Sequence, residues 1–148
     1  MKFMITGHRR EKLGSYDIDW IRGQIETAIM YLMERGYSYG LSGMASGVDL
    51  WFCEVCGELG IPYEACLPFE GQENYMGGED QLLREQLISL SVRVSKVRNH
   101  YMVERARAAI IVWDGNKGGT HNCFQQLLET PKLLYWIVPP RKSIVIIT

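Results

Sequence analysis

Short apolar runs of β character alternate with longer stretches of helical periodicity along nearly the whole chain, and most of the short runs stop at glycine or proline. Residues 2–6 run into Gly7, residues 37–42 into Gly43, residues 62–67 into Pro68, and residues 108–113 into Asp114-Gly115. Between the first two, Asp19 reads as the N-cap of a helix. Its apolar stripe is Ile21, Ile25, Ala28, Ile29, Leu32 and Met33, and Gly36 stops it. Residues 49–59 (closed by Gly60), 79–90, 99–107 and 120–128 (ended by Pro131) read as further helices. Residues 92–95 and 133–138 add two strands, and 143–147 is a last β-like run beyond Pro139-Pro140. Residues 72–78 read as a polar, mobile loop.

This alternation predicts an α/β fold: one doubly wound, mainly parallel sheet of about six strands with helices on both faces. With 148 residues, one domain spanning 1–148 is expected. The 47% apolar content supplies a core. A net charge of -1 gives no global footprint for nucleic acid or membrane. No apolar run reaches the roughly 18 residues of a spanning helix, and the first residues lack the pattern of a secretion signal, so a cytoplasmic protein is expected. Cys53 and Cys56 form a CxxC with no second pair, inside an apolar-periodic segment. They read, with Cys66 and Cys123, as free thiols. His8, His100 and His121 show no ligand spacing with acidic residues, so no metal is implied.

Right-handed crossovers would bring every parallel strand's C-terminal end to one edge, where ligands of such sheets sit. Four strand exits there carry unusual chemistry: Thr6-Gly7-His8-Arg9-Arg10, Ser42 to Asp49, Pro68-Phe69-Glu70-Gly71, and Asp114 to Thr120. Gly43 and Gly47 precede one helix, and Gly118, Gly119 and Thr120 precede another. Glycine-rich helix openings let backbone N–H groups approach an anion. Arg9 and Arg10 could pair with phosphate. Asp49 could accept a ribose hydroxyl, and Trp51, Phe69 or Trp113 could stack on a base. The expected contacts are Thr6, Gly7, His8, Arg9, Ser42, Gly43, Met44, Gly47, Asp49, Pro68, Phe69, Asn99, Asp114, Gly118, Gly119 and Thr120.

Ser42-Gly43-Met44-Ala45-Ser46-Gly47-Val48-Asp49 resembles the SG(L/M)AxGxD signature of the SLOG superfamily. The order Arg98-Asn99, helix, apolar strand, Gly118-Gly119-Thr120 is similar to the RN…GGT arrangement of the same proteins. That superfamily includes the YpsA-like proteins, the Rossmann domain of the DNA-processing protein DprA, and the LOG phosphoribohydrolases. The resemblance spans residues 5–128 and implies a Rossmann-like fold and a homodimer. It implies an AMP-, ADP-ribose- or NAD-like ligand and no required cofactor. Ser42, Gly43, Gly118, Gly119 and Thr120 would hold phosphate or ribose, with Arg9 and Asp49 as secondary contacts. The LOG enzymes carry a glutamate three residues beyond the threonine; here that position is Cys123, and Asn116 and Lys117 replace two leading glycines. No catalytic residue is therefore assigned.

Three readings follow. The first is a nucleotide-binding module or sensor. The second is a nucleotide N-glycosidic-bond hydrolase in which Glu70, Glu73 or Asp114 replaces the missing glutamate. The third is a single-stranded DNA binder using Arg93, Lys96, Arg98, Arg105 and Arg107 with Tyr101 for stacking.

Overall fold

The computed structural model describes residues 1–98 and 100–148. Among them seven strands form one sheet: β1 (Lys2–Gly7), β2 (Tyr39–Ser42), β3 (Tyr63–Leu67), β4 (Arg93–Lys96), β5 (Ala108–Val112), β6 (Leu133–Val138) and β7 (Ser143–Ile147), in the order β4-β3-β2-β1-β5-β6-β7. The first six are mutually parallel. The last β-like run becomes a seventh strand, antiparallel to β6, because Pro139–Arg141 and the left-handed Lys142 turn the chain straight back. The doubly wound α/β expectation is met.

Among the described residues six α-helices cover the two faces: α1 (Arg10–Leu13), α2 (Ile18–Met33), α3 (Val48–Leu59), α4 (Gly78–Leu90), α5 (Tyr101–Arg105) and α6 (Gly119–Leu127). Alternate strand residues feed opposite layers. Phe3 and Ile5 of β1 pack with Ile21, Ile25, Phe52, Val55 and Leu87 from α2, α3 and α4. Met4 between them packs on the other side with Leu41, Ile111 and Leu127, under α5 and α6. Every residue of β5 is buried, as a central parallel strand covered on both faces requires. Among the described residues no helix is long and apolar enough to cross a membrane.

Local details depart from the sequence reading. The cap of α2 is Asp17, whose Oδ1 accepts from the Trp20 N–H at 3.1 Å, and Asp19 lies inside the first turn. Both aspartates suit a helix start, but only the earlier one is three residues before a free N–H. Helix α5 stops at Arg105, short of residue 107, because the sheet captures the next segment: the Arg107 N–H donates to the Lys2 carbonyl at 2.9 Å. Helix α1 lacks an apolar period and is not legible in advance. Residues 72–75 form a 3-10 turn anchored by a buried Gln72 rather than an unstructured stretch.

Candidate functional site

The strand order reverses between β1 and β5, since the chain winds from β1 toward β4 on one side and from β5 toward β6 on the other. The crevice at such a switch point is where doubly wound sheets receive ligands. His8 bridges it. Its N–H donates to the Val112 carbonyl at 3.2 Å, and its Nε2 accepts from the Asp114 N–H at 3.1 Å. The ring is buried and lies 3.2 Å from the Asp114 carboxylate. Burial pushes the Asp114 carboxyl up, but bonds from Asn116 and the nearby His8 outweigh it and hold it below the ordinary range. His8 and Asp114 thus latch the floor of the site.

The Ser42–Asp49 loop closes on itself. Ser42 Oγ accepts from the Met44 N–H at 3.2 Å and donates to the Asp49 carbonyl at 3.0 Å. Asp49 Oδ2 accepts from the Ala45 N–H at 3.1 Å. Those amides are therefore spent inside the loop and do not face an incoming anion. Gly47, at φ 85°, sits where a Cβ would lie 2.7 Å from the Arg10 nitrogen. Only glycine lets the first loop rest on the second, backbone to backbone.

The openings of α3 and α6 both lack a side-chain cap, but that of α6 is exposed where that of α3 is buried. The N–H groups of Gly119, Thr120 and His121 have no acceptor within the helix, as at any helix start. A Cβ on Gly119 would meet nothing within 4 Å. Lys12 reaches across from α1, its Nζ 3.6 Å from where a Cβ of Gly118 would be. Thr6, Gly7, His8, Arg9, Glu11, Lys12, Gly119 and Thr120 line a cleft of ≈ 370 Å³ there. Gly119 also borders a second hollow of ≈ 430 Å³, lined on its other walls by Gly43, Pro68, Arg98, Met102 and Cys123. Gly43 and Gly119 do share one hollow. A third cleft of ≈ 450 Å³, shared at Pro68 and Arg98, holds Phe69, Arg84 and Lys96.

Cys123 lines the second hollow, and Asp49 stands behind its Gly43 wall, with Oδ2 3.2 Å from where a Cβ of that glycine would be. Burial pushes the Asp49 carboxyl up to about 7, against the opposing pull of the Ala45 N–H and of Arg9. Burial also raises the Cys123 thiol, which a bond from Thr6 only partly offsets, so it stays protonated near neutral pH.

Other expected residues are placed elsewhere. Trp51 is buried at 2% exposure in the core beside Arg22, and Trp113 is buried at 6%, stacked with both His121 and Trp136. Neither ring is available to a base, because core packing consumes both. Phe69 is 46% exposed, edge-on to Tyr75, and keeps a free face. Glu70 pairs with Lys96 and Glu73 with Arg84, both in the third cleft rather than beside Thr120. Tyr101 is clasped by Arg105, 3.7 Å from its ring centre, while its hydroxyl donates to the buried Glu64 at 2.6 Å. It fastens α5 and does not offer a stacking platform. Asn99 lies outside the described residues. Lys12, Gln72 and Arg84 were not anticipated; a lysine three residues beyond Arg9 was the one visible signal.

No family model matches the chain. It is similar to a UPF0398 protein of Ligilactobacillus salivarius (strain UCC118), 22% identical over 142 residues, covering 80% of this chain and 78% of that protein.

Asp49 makes stability depend on pH. Its carboxyl takes up a proton on folding between the ordinary value of 3.8 and about 7, so its contribution is full below that window and is lost as pH rises through it. Urea midpoints should therefore drop between pH 5 and pH 8, and Asp49→Asn, which keeps the acceptor for Ala45, should flatten that part of the decline. An identical pH profile in the folded variant would remove the assignment.

Proposed function

We propose that this chain binds a nucleotide-type small molecule (AMP-, ADP-ribose- or NAD-like) at the C-terminal edge of its sheet, as a binding module or sensor. The observation that carries the reading is the open first turn of α6 facing Lys12 across the switch-point cleft. Free helix N–H groups, the helix dipole and a lysine together suit a phosphate. The Ser42–Asp49 loop, whose Met44 and Ala45 amides are engaged, suits the sugar: Asp49 stands behind Gly43, a wall of the shared hollow, and its carboxylate can accept from a hydroxyl. Phe69 is the platform left for a base. The SG(L/M)AxGxD and GGT resemblances to the SLOG superfamily support the same placement, and the similarity to a UPF0398 protein is consistent with them.

Gly119→Asp tests it. The new side chain enters open space and suits a helix start, so the melting temperature should stay within a few degrees. Calorimetric affinity for AMP or ADP-ribose should fall about ten-fold or more, because a carboxylate displaces the phosphate's charge-assisted bonds. Equal affinity in the two proteins would refute the placement.

A second reading, hydrolysis of the bound nucleotide's N-glycosidic bond, is favoured by Asp49, a carboxyl held near neutrality behind Gly43. Free adenine released from AMP by the protein, and not by Asp49→Asn, would establish it; no release would discard it.

The homodimer implied by the SLOG resemblance has a candidate surface in β7, an uncharged edge strand with Val145 and Ile146 exposed. Sedimentation showing only monomer at tens of micromolar would dismiss it.

A further inference from the structure

The peptide joining Gly43 to Met44 is held by side chains at both polar ends. Its N–H donates to Ser42 Oγ at 3.2 Å, and its carbonyl accepts from Gln72 Nε2 at 2.8 Å. Met44, directly after it, has φ 60° and a fully buried side chain. An L residue avoids that region. Turning this single peptide over would return Met44 to negative φ, and Gly43 on the other side has no Cβ to resist the turn. The observed conformation therefore depends on the two bonds that hold it.

Gln72 is itself oriented. Its Oε1 accepts from Arg84 Nε at 3.3 Å and from Arg84 Nη2 at 3.0 Å, so the amide can present only its NH2 group to Gly43. Arg84 is buried on α4, and its remaining nitrogen lies 3.6 Å from Glu73. A chain of bonds thus runs from α4 through the 3-10 turn to the loop that walls the shared hollow. None of these side chains needs to touch a ligand for that wall to depend on them.

We propose that Gln72, oriented by Arg84, is a positioning residue that locks the Gly43–Met44 peptide and so sets the wall of the ligand hollow. The lock is a property of the unliganded protein; its effect on affinity rests on the nucleotide-binding reading above.

Gln72→Glu separates this role from simple fastening. The variant keeps the length of the side chain and strengthens its contact with Arg84, so the turn stays tied to α4. It removes the donor and sets a carboxylate oxygen against the Gly43 carbonyl. A cooperative melt close to the wild type is expected, with exchange of the Met44 amide hydrogen about ten-fold faster and AMP affinity about ten-fold weaker. Unchanged Met44 exchange in the folded variant would overturn the lock. Faster exchange with unchanged AMP affinity would overturn the claim that the peptide sets the wall. If Gln72→Glu does not fold, Arg84→Lys, a point donor that cannot grip Oε1 with two N–H groups, must raise Met44 exchange by itself or the proposal fails. Should the wild type not bind AMP, the nucleotide reading falls while the exchange measurement still decides the lock.

Discussion

At Gly47 the first two loops of the sheet's C-terminal edge meet with no side chain between them. A Cβ there would lie 2.7 Å from the Arg10 nitrogen and 3.1 Å from the Arg9 carbonyl carbon, and neither backbone atom can move aside cheaply. Because the loops touch, α1 lies against the start of α3, and Lys12 is delivered toward the opening of α6. The same contact brings the positive charge of Arg9 within range of Asp49. Remove the close approach and the cleft loses one wall, its lysine and part of its electrostatics together.

The two glycine-rich loops look alike in sequence but differ in exposure, the start of α3 being buried and that of α6 open to solvent. In the Ser42–Asp49 loop, Ser42 and Asp49 draw the N–H groups of Met44 and Ala45 inward, and Gln72 takes the Gly43 carbonyl. The helix start that follows it has no side-chain cap either, but it is packed against the first loop at Gly47. At Gly118-Gly119-Thr120 no side chain caps the helix, so its N–H groups stay available. The edge thus has exposed helix-opening amides at α6 and a buried carboxyl, Asp49, behind the other loop.

Much of this was legible beforehand. The strand exits at Gly7, Gly43, Pro68 and Asp114, the helical stripe from Ile21 to Leu32, and the opening of α6 all follow from local period and breaker residues. The aromatic residues were the weak point. Trp51 and Trp113 have the composition of a base platform, but a ring on a covered face is worth more to the core than to a ligand, and sequence does not say which face is covered. The anchoring of Tyr101 is hidden for a related reason: its partner Glu64 lies 37 residues away on β3.

Local sequence determined the order of strands and helices, the breaks between them and the glycine-rich character of the ligand edge, since these depend on the periodicity and backbone freedom of adjacent residues. Tertiary structure alone decided which amides remain free, which aromatic rings are spent, and that Lys12, Gln72 and Arg84 meet the glycine-rich loops. Those outcomes depend on hydrogen bonds and close contacts between segments far apart in the chain, such as Gln72 with Gly43 and Gly47 with Arg10, and no local pattern encodes a partner at that separation.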